Sequence, residues 1–260
     1  MSAPEIELAL FAFGVAAFGA LAGGIAGVGA VLVIAPLLYF GAPLVGTPLD
    51  FKAVSNLTTF SVLVSSVPAV WVYHSFGLVR REIVRPMVLP SALGALVGVG
   101  LAIVVSSAVV QAVFAVAAIA GAVLVLVPYH RSNDDLTRTL DVPANGLAAT
   151  AGGVGIVGGL TGAGGGYLLV PVLLGAFKLP TRVAIGTAGL NGGIIAGISF
   201  IGRIAALHLD WVLLIAVACG AVLGTAVGTR LQQRVPTAII RRAVALVVGV
   251  AAVKMLLQLR

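Results

Sequence analysis

The chain has 260 residues, of which 60% are apolar and only 9% are Asp, Glu, Lys or Arg, with a formal net charge of +7. Soluble domains carry about a quarter charged residues, so this composition excludes an ordinary globular protein and makes lipid the solvent for most of the chain. The basic residues fall singly between apolar runs without aromatic interleaving, which speaks against nucleic acid, and a lone cysteine, Cys219, excludes a disulfide framework or a Cys-cluster metal site.

The chain opens MSAPEIEL, acidic where a secretory signal needs positive charge, so the first apolar stretch is expected to belong to the mature protein. Apolar runs follow at Ile6 to Ala42, Ala53 to Phe76, Ile83 to Val105 and Ala108 to Val127. The stretch RSNDDLTRTLD, from Arg131 to Asp141, then places five charges in eleven residues. Apolar runs resume at Ala144 to Phe177, Val183 to Ile201, Trp211 to Val227 and Ala238 to Leu257. Cys219 lies in the third of these, where a small buried residue is its expected role. A span needs ~20 apolar residues, and four runs on each side of the charged stretch point to a repeat. The expected organisation is a first membrane repeat over 1–128, a polar cytoplasmic linker over 129–143 and a second membrane repeat over 144–260.

The repeat is clearest where glycine is densest. Gly23 to Leu38 reads GGIAGVGAVLVIAPLL and Gly158 to Leu173 reads GGLTGAGGGYLLVPVL, with six of sixteen positions identical. Pro36 and Pro171 recur at the same place in both. Further along, Ala53 to Asn56 lies opposite Ala184 to Thr187, and GALVG from Gly94 lies opposite GAVLG from Gly220. Glycine and proline break helices, and within lipid such breaks persist only where the freed backbone groups meet protein, water or ligand.

Basic residues decide how the two glycine-rich runs are threaded. If each crosses once, the fifteen Lys and Arg divide eight to seven between the two sides. If each returns to its starting side, Arg80, Arg81, Arg85, Arg131, Arg138, Lys178, Arg182, Arg230, Arg234, Arg241 and Arg242 gather on one side, against Lys52, Arg203, Lys254 and Arg260. Eleven against four is a positive-inside signal. The arms 144–157 and 167–177 would reach ~21 and ~17 Å, too short to span comfortably. The expectation is therefore an all-α polytopic membrane protein of two inverted repeats, each a Gly/Pro-broken hairpin plus three spans. The hairpin tips would meet near the midplane, with both termini outside the cytoplasm.

Half-helix ends near a midplane are a common way for secondary transporters to build a substrate site. Helices starting near Ala30 and Gly165 would present unpaired N–H groups and a positive dipole end, which favour an anion. The candidate substrate-binding residues are Gly27, Gly29, Thr161, Gly162, Gly164, Gly165 and Gly166 at the tips, with Asn56, Thr187 and Asn191 at the following spans. Ser55, Thr58 and Thr59 add neutral polar groups there. Lys52 and Arg182, ahead of corresponding spans, are candidate anion attractors, against the alternative that they snorkel to headgroups. Glycines spaced four apart also let membrane helices pack closely, which is the favoured role for Gly94–Gly98 and Gly220–Gly224–Gly228 and a competing one at the tips.

Asp50, Glu82 and Asp210 sit at span edges, so a carboxylate proton relay through the bilayer is not expected. His74 and His208 likewise fall at span ends. Gly153 to Gly158 satisfies G-x-G-x-x-G but lies in an apolar run with no βαβ unit around it, and neither H-E-x-x-H nor a nucleophile dyad is present, so no enzyme, cofactor or metal site is expected.

The duplicated Gly-Gly-x-x-Gly-x-Gly stretch followed by Pro-Leu or Pro-Val, with the polar starts at Ala53 to Asn56 and Ala184 to Thr187, resembles the sulfite exporter TauE/SafE family of membrane permeases across essentially the whole chain. The resemblance implies transport of sulfur-containing anions such as sulfite or organosulfonates. Two departures stand out: Ala30 and Val31 replace the glycines found at Gly165 and Gly166, and the polar pair of the next span reads Asn56-Leu57 and Thr187-Ala188. The expected function is a secondary transporter of small sulfur-containing anions in the cell inner membrane, working by alternating access. Its expected partners are the anionic substrate and the lipid bilayer, and assembly as a homo-oligomer is left open. The alternatives are a membrane-embedded scaffold or subunit of a larger complex, or a permease for a different small anion.

Overall fold

The computed structural model describes residues 3–27, 29–126, 142–204, 210–232, 234 and 238–258. Among these residues the chain is entirely helical: α1 (Ala3–Ala26), α2 (Val31–Gly41), α3 (Phe51–Ser75), α4 (Arg81–Val104), α5 (Ser107–Leu126), α6 (Ala144–Thr161), α7 (Gly166–Gly175), α8 (Thr181–Ile204), α9 (Trp211–Gln232) and α10 (Ala238–Leu257). A 3-10 turn, Ala42–Val45, extends α2. His208, and the expected linker up to residue 141, lie outside the described residues.

The three acids expected at span edges sit at helix starts. Asp210 Oδ1 accepts from the N–H groups of Val212 and Leu213 at 3.1 and 3.2 Å, satisfying donors that the first turn of α9 leaves free. Glu82 occupies the first turn of α4, where the helix dipole favours negative charge. Asp50 precedes α3 and accepts the Ser107 hydroxyl at 2.6 Å, which ties the start of α3 to the start of α5.

Among the described residues six helices are long and apolar enough to cross a membrane: α1 from Glu5, α3, α4, α5 to Leu124, α8 and α9. Five match runs expected to span. The sixth, α1, corrects the picture of short-armed hairpins, because the first break comes late, at Gly27 and Gly29, both with positive φ. The 24 residues of α1 reach ~36 Å at 1.5 Å per residue, while α2 has only 11. In the second half α6 has 18 residues and α7 has 10. Gly158 and Gly159 stay helical because the interface needs them small: a Cβ on Gly159 would stand 2.9 Å from Ala95 Cα. Both glycine-rich runs nonetheless fold back on themselves, Gly19 lying against Ile34 and Gly41 against Phe11, Gly158 against Gly165 and Gly146 against Phe177. The G-x-G-x-x-G of residues 153–158 is helix interior within α6. Cys219 also departs from expectation, being exposed on α9 rather than buried.

Packing between the halves follows one pattern. The main partner of α1 is α9 and that of α6 is α4; α3 packs on α8 and α5 on α10. Exchanging each helix with its counterpart in the other half leaves these pairings unchanged. Glycine lets two of them approach at backbone distance, since a Cβ on Gly98 would meet Leu160 N at 2.7 Å and one on Gly228 would meet Leu21 O at 2.7 Å. Gly220 faces Ala17, Gly224 faces Ala20 and Gly228 faces Leu21, so α1 and α9 run parallel, as do α4 and α6 through Gly94 with Gly152 and Gly98 with Leu160. The α3–α8 pair is antiparallel: Leu63 faces Gly197, Ser66 faces Gly193 and Tyr73 faces Gly189.

That antiparallel pair defines two ends of the molecule. At one, Leu78 beyond α3 packs on Gly186 near the start of α8, so Arg80, Arg81 and Arg182 gather there. At the other lie Lys52, Arg203 and, through the ring contact of Tyr39 with Phe51 and the ammonium of Lys254 at 4.5 Å from the Phe40 ring, the end of α10. These are called the Arg80 end and the Lys52 end below.

Candidate anion site

The two glycine-rich tips reach the same cavity. Its volume is about 110 Å³, and it lies between the tips and the Arg80-end halves of α3, α8 and α9. From the first tip Gly27, Gly29, Ala30 and Val31 line it, and from the second Ala163, Gly166 and Tyr167. The tips touch, since a Cβ on Gly29 would stand 3.7 Å from Tyr167 Cβ.

Each tip opens into a short helix whose first donors have no partner within that helix. The Ala30 carbonyl accepts from Val33 and Ile34 at 3.1 and 3.0 Å, and the Gly165 carbonyl accepts from Leu168 and Leu169, both at 3.1 Å. The N–H groups ahead of these, on Val31 and Leu32 and on Gly166 and Tyr167, have no carbonyl of their own helix to bond. Two helix N-termini thus converge on one small space, each adding a partial positive charge. Around them Ser65, Ser66, Tyr73, Thr225 and Thr229 supply hydroxyls, and among the described residues no charged side chain lines the cavity. Ser66 and Thr229 rest their protons on carbonyls of their own helices, at 2.6 and 2.7 Å, from which rotation about χ1 can turn them to an incoming acceptor.

The residues expected to bind substrate divide into two groups. Gly27, Gly29 and Gly166 line the cavity. Thr161, Gly162, Gly164, Gly165, Asn56, Thr187 and Asn191 are not among its lining residues; they build the walls behind it. Gly164 and Gly165 have φ of +65° and +69° and pack against Val62 and Val154. Asn191 is buried and accepts the Ser91 hydroxyl at 3.0 Å, its Nδ2 having no partner, and the buried Thr187 hydroxyl also has none. Arg182 is exposed at the Arg80 end, the end nearer the cavity, whereas Lys52 sits at the opposite end with its N–H donated to Ser107. His74 is exposed in the last turn of α3.

The remaining polar residues form a clamp that sequence reasoning missed. Arg203, 6% exposed, is the buried charge among the described residues. Its Nη1 donates to Ser55 Oγ at 2.7 Å and Asn56 Oδ1 at 3.0 Å; its Nη2 donates to the carbonyls of Gly159 at 2.5 Å and Leu160 at 2.8 Å. Ser55 Oγ donates onward to Thr161 O at 2.8 Å, and Thr59 Oγ1 shares its proton between Ser55 O at 2.7 Å and Gly162 O at 3.2 Å. The four carbonyls that close α6, which no later helical N–H can reach, are thereby all bonded, and the guanidinium sits where the helix dipole is negative. The signal in the sequence is an arginine with apolar neighbours on both sides, in SFIGRIAAL. The cavity hydroxyls were signalled by the Ser65-Ser66 pair and by Thr225 and Thr229 inside long apolar runs.

The profile of the sulfite exporter TauE/SafE family matches residues 11–255. The chain belongs to that family. The family is one of membrane transporters rather than enzymes, and the six candidate spans among the described residues mark a multi-pass membrane protein. A segment of 99 residues is 29% identical to the probable membrane transporter protein YunE of Bacillus subtilis (strain 168), covering 37% of this chain and 36% of that one. The likeness therefore spans about a third of the length of that relative. No solved structure matches the chain. For a TauE/SafE transporter, the cavity at the two tips is the natural place to look for cargo.

Proposed function

We propose that the chain is a secondary permease for small sulfur-containing anions, sulfite or simple organosulfonates, that works by alternating access between two inverted repeats over 1–128 and 144–260. The observation that carries the reading is the convergence of the N-termini of α2 and α7 on one cavity lined by neutral hydroxyls. Backbone donors and helix dipoles bind an oxyanion without a fixed full charge, so the anion also leaves readily. Gly27, Gly29 and Gly166 admit it close to the backbone, and Gly162, Gly164 and Gly165 hold the second tip in its positive-φ turn. Arg182 draws anions toward the Arg80 end. The family's association with sulfite supports the substrate class.

Inversion of the repeats is supported by the antiparallel course of α3 and α8 together with the exchange of contacts between halves. Basic residues gathered at the Arg80 end support a cytoplasmic position for that end in the inner membrane, with both termini outside. The cavity then faces inward, and the Arg203 clamp is the outer seal.

Flux of labelled sulfite and simple sulfonates into proteoliposomes holding the purified chain tests the proposal. Saturable uptake that competing sulfonates inhibit is expected. A chain that reconstitutes well yet moves none of these anions would instead support a scaffold whose glycines serve packing only.

A further inference from the structure

We propose that Arg203 is a second anion-binding group of this transporter, covered by the tip of the second hairpin in the conformation seen here and exposed to a small oxyanion when that tip withdraws. The proposal rests on the permease reading above and adds to it a station at the Lys52 end, on the far side of the tip from the cavity.

The argument starts from charge. A guanidinium inside a membrane domain is costly unless it is paired, yet all four partners of Arg203 are neutral: two side-chain oxygens and two backbone carbonyls. Its Nε is buried with no partner at all. Among the described residues no carboxylate faces it; the negative end of the α6 dipole offsets only part of its charge, which leaves a positive site suited to a mobile anion. A guanidinium also offers a planar fork of donors matched to the oxygens of an oxyanion.

Geometry links this charge to transport. Gly159 and Leu160 carry the carbonyls held by Nη2, and three to seven residues on Ala163 and Gly166 line the cavity. Arg203 and the cavity thus grip opposite sides of one short tip. For the Lys52 end to open, the tip has to leave Ser55, Thr59 and Arg203, and the guanidinium then loses two of its four acceptors. An arriving oxyanion takes the vacated donors, with the Ser55 hydroxyl and the Asn56 amide beside it. Tip and anion compete for the same fork, so the seal re-forms only after the anion has moved on toward the N-termini of α2 and α7.

The test uses the full chain in proteoliposomes with radiolabelled sulfite, comparing wild type, Arg203→Lys, Arg203→Gln and Asn56→Asp, with thermal unfolding of each in detergent. Arg203→Gln is expected to raise the KM for sulfite at least tenfold, and Arg203→Lys to recover part of that loss because the charge returns without the planar fork. Asn56→Asp places a carboxylate on the guanidinium; its unfolding temperature is expected to stay the same or rise while transport falls at least tenfold. Unchanged KM in a folded Arg203→Gln overturns the proposal while wild-type flux upholds the permease reading. If Arg203→Gln does not fold, wild-type KM in both Arg203→Lys and Asn56→Asp overturns it. Absence of sulfite flux in wild type overturns the permease reading, and the proposal with it.

Discussion

The two hairpin tips are built from the same glycine pattern and are treated oppositely by the rest of the molecule. The second tip, around Gly162 to Gly165, has every closing carbonyl of α6 bonded to a side chain of α3 or α8. The first tip, around Gly27 to Ala30, lies open to the cavity beside Gln232, whose Nε2 has no partner. In the register that pairs Ala53 with Ala184, the clamp residues Ser55, Asn56, Thr59 and Arg203 correspond to Gly186, Thr187, Leu190 and Val72. In the two-repeat reading proposed above the breaks are equivalent, and polar side chains that differ between the halves, Arg203, Ser55 and Thr59 above all, would decide which end is sealed. For the alternating-access mechanism proposed above, asymmetry of this kind sets a preferred resting conformation, because two ends tied equally would leave none.

The sharpest way to break the comparison is to add a methyl to each tip. Gly162 has φ +70° and a Cβ there would strike Ser55 and Thr59, while Gly27 has φ +68° and a Cβ there would strike the Gln232 side-chain end and meet Ile185 Cδ1 at 2.8 Å. Both changes carry the left-handed cost of ~1–2 kcal/mol, but only Gly162→Ala collides with a backbone carbonyl and the clamp, adding about 1–3 kcal/mol of overpacking. Unfolding in detergent should therefore show Gly162→Ala to be the more destabilised by a clear margin. Equal losses would mean that the tips are held equally.

Hydroxyl deletions probe the same contrast with a smaller effect. Ser55→Ala removes a donor to Thr161 O and an acceptor of Arg203, and hydrogen bonds between membrane helices average ~0.6 kcal/mol with a maximum of ~1.7. A loss near the upper value is expected because two bonds go at once. Ser65→Ala deletes a hydroxyl that bonds only Val62 O of its own helix and lines the cavity. It should leave stability unchanged within about 0.5 kcal/mol while weakening sulfite uptake. Stability loss in both, or in neither, would erase the division between a clamped and an open side.

Much of this architecture is legible in the sequence. Spans are readable because crossing a bilayer demands about twenty apolar residues whatever their partners are, and α3, α4, α5, α8 and α9 lie where the apolar runs put them. The breaks are readable because Gly and Pro recur at matched places in two halves. Their exact positions are not, since a glycine kept in a helix at Gly159 and one that ends a helix at Gly162 differ only in what stands opposite: Ala95 for the first, Ser55 and Thr59 for the second. Arg203 was hidden for a related reason. Counted with Lys52 and Lys254 it is a minority charge in a topology tally, and only the packing of α8 on α3 turns it inward. Asn56 drew attention as a polar start of a span, but its role in gripping an arginine 147 residues away has no local signature.

The smallest expected effect on the fold belongs to Gly166→Ala, which isolates the cavity from the clamp. Gly166 begins α7 without a positive φ, and the nearest atom to an added Cβ is Ala188 O at 3.4 Å, an ordinary contact. Alanine is also the better helix former, by ~1 kcal/mol, so the variant should unfold no earlier than wild type. The methyl nevertheless occupies part of a cavity of about 110 Å³ beside a free N–H, and a loss of ~1.4 kcal/mol in binding is a tenfold rise in the KM for sulfite. A stable variant with raised KM places the anion at the second tip's donors. A stable variant with wild-type KM and kcat would move substrate binding to the first tip, where the N-terminus of α2 presents its own first-turn donors, and the clamped tip would then act only as a seal.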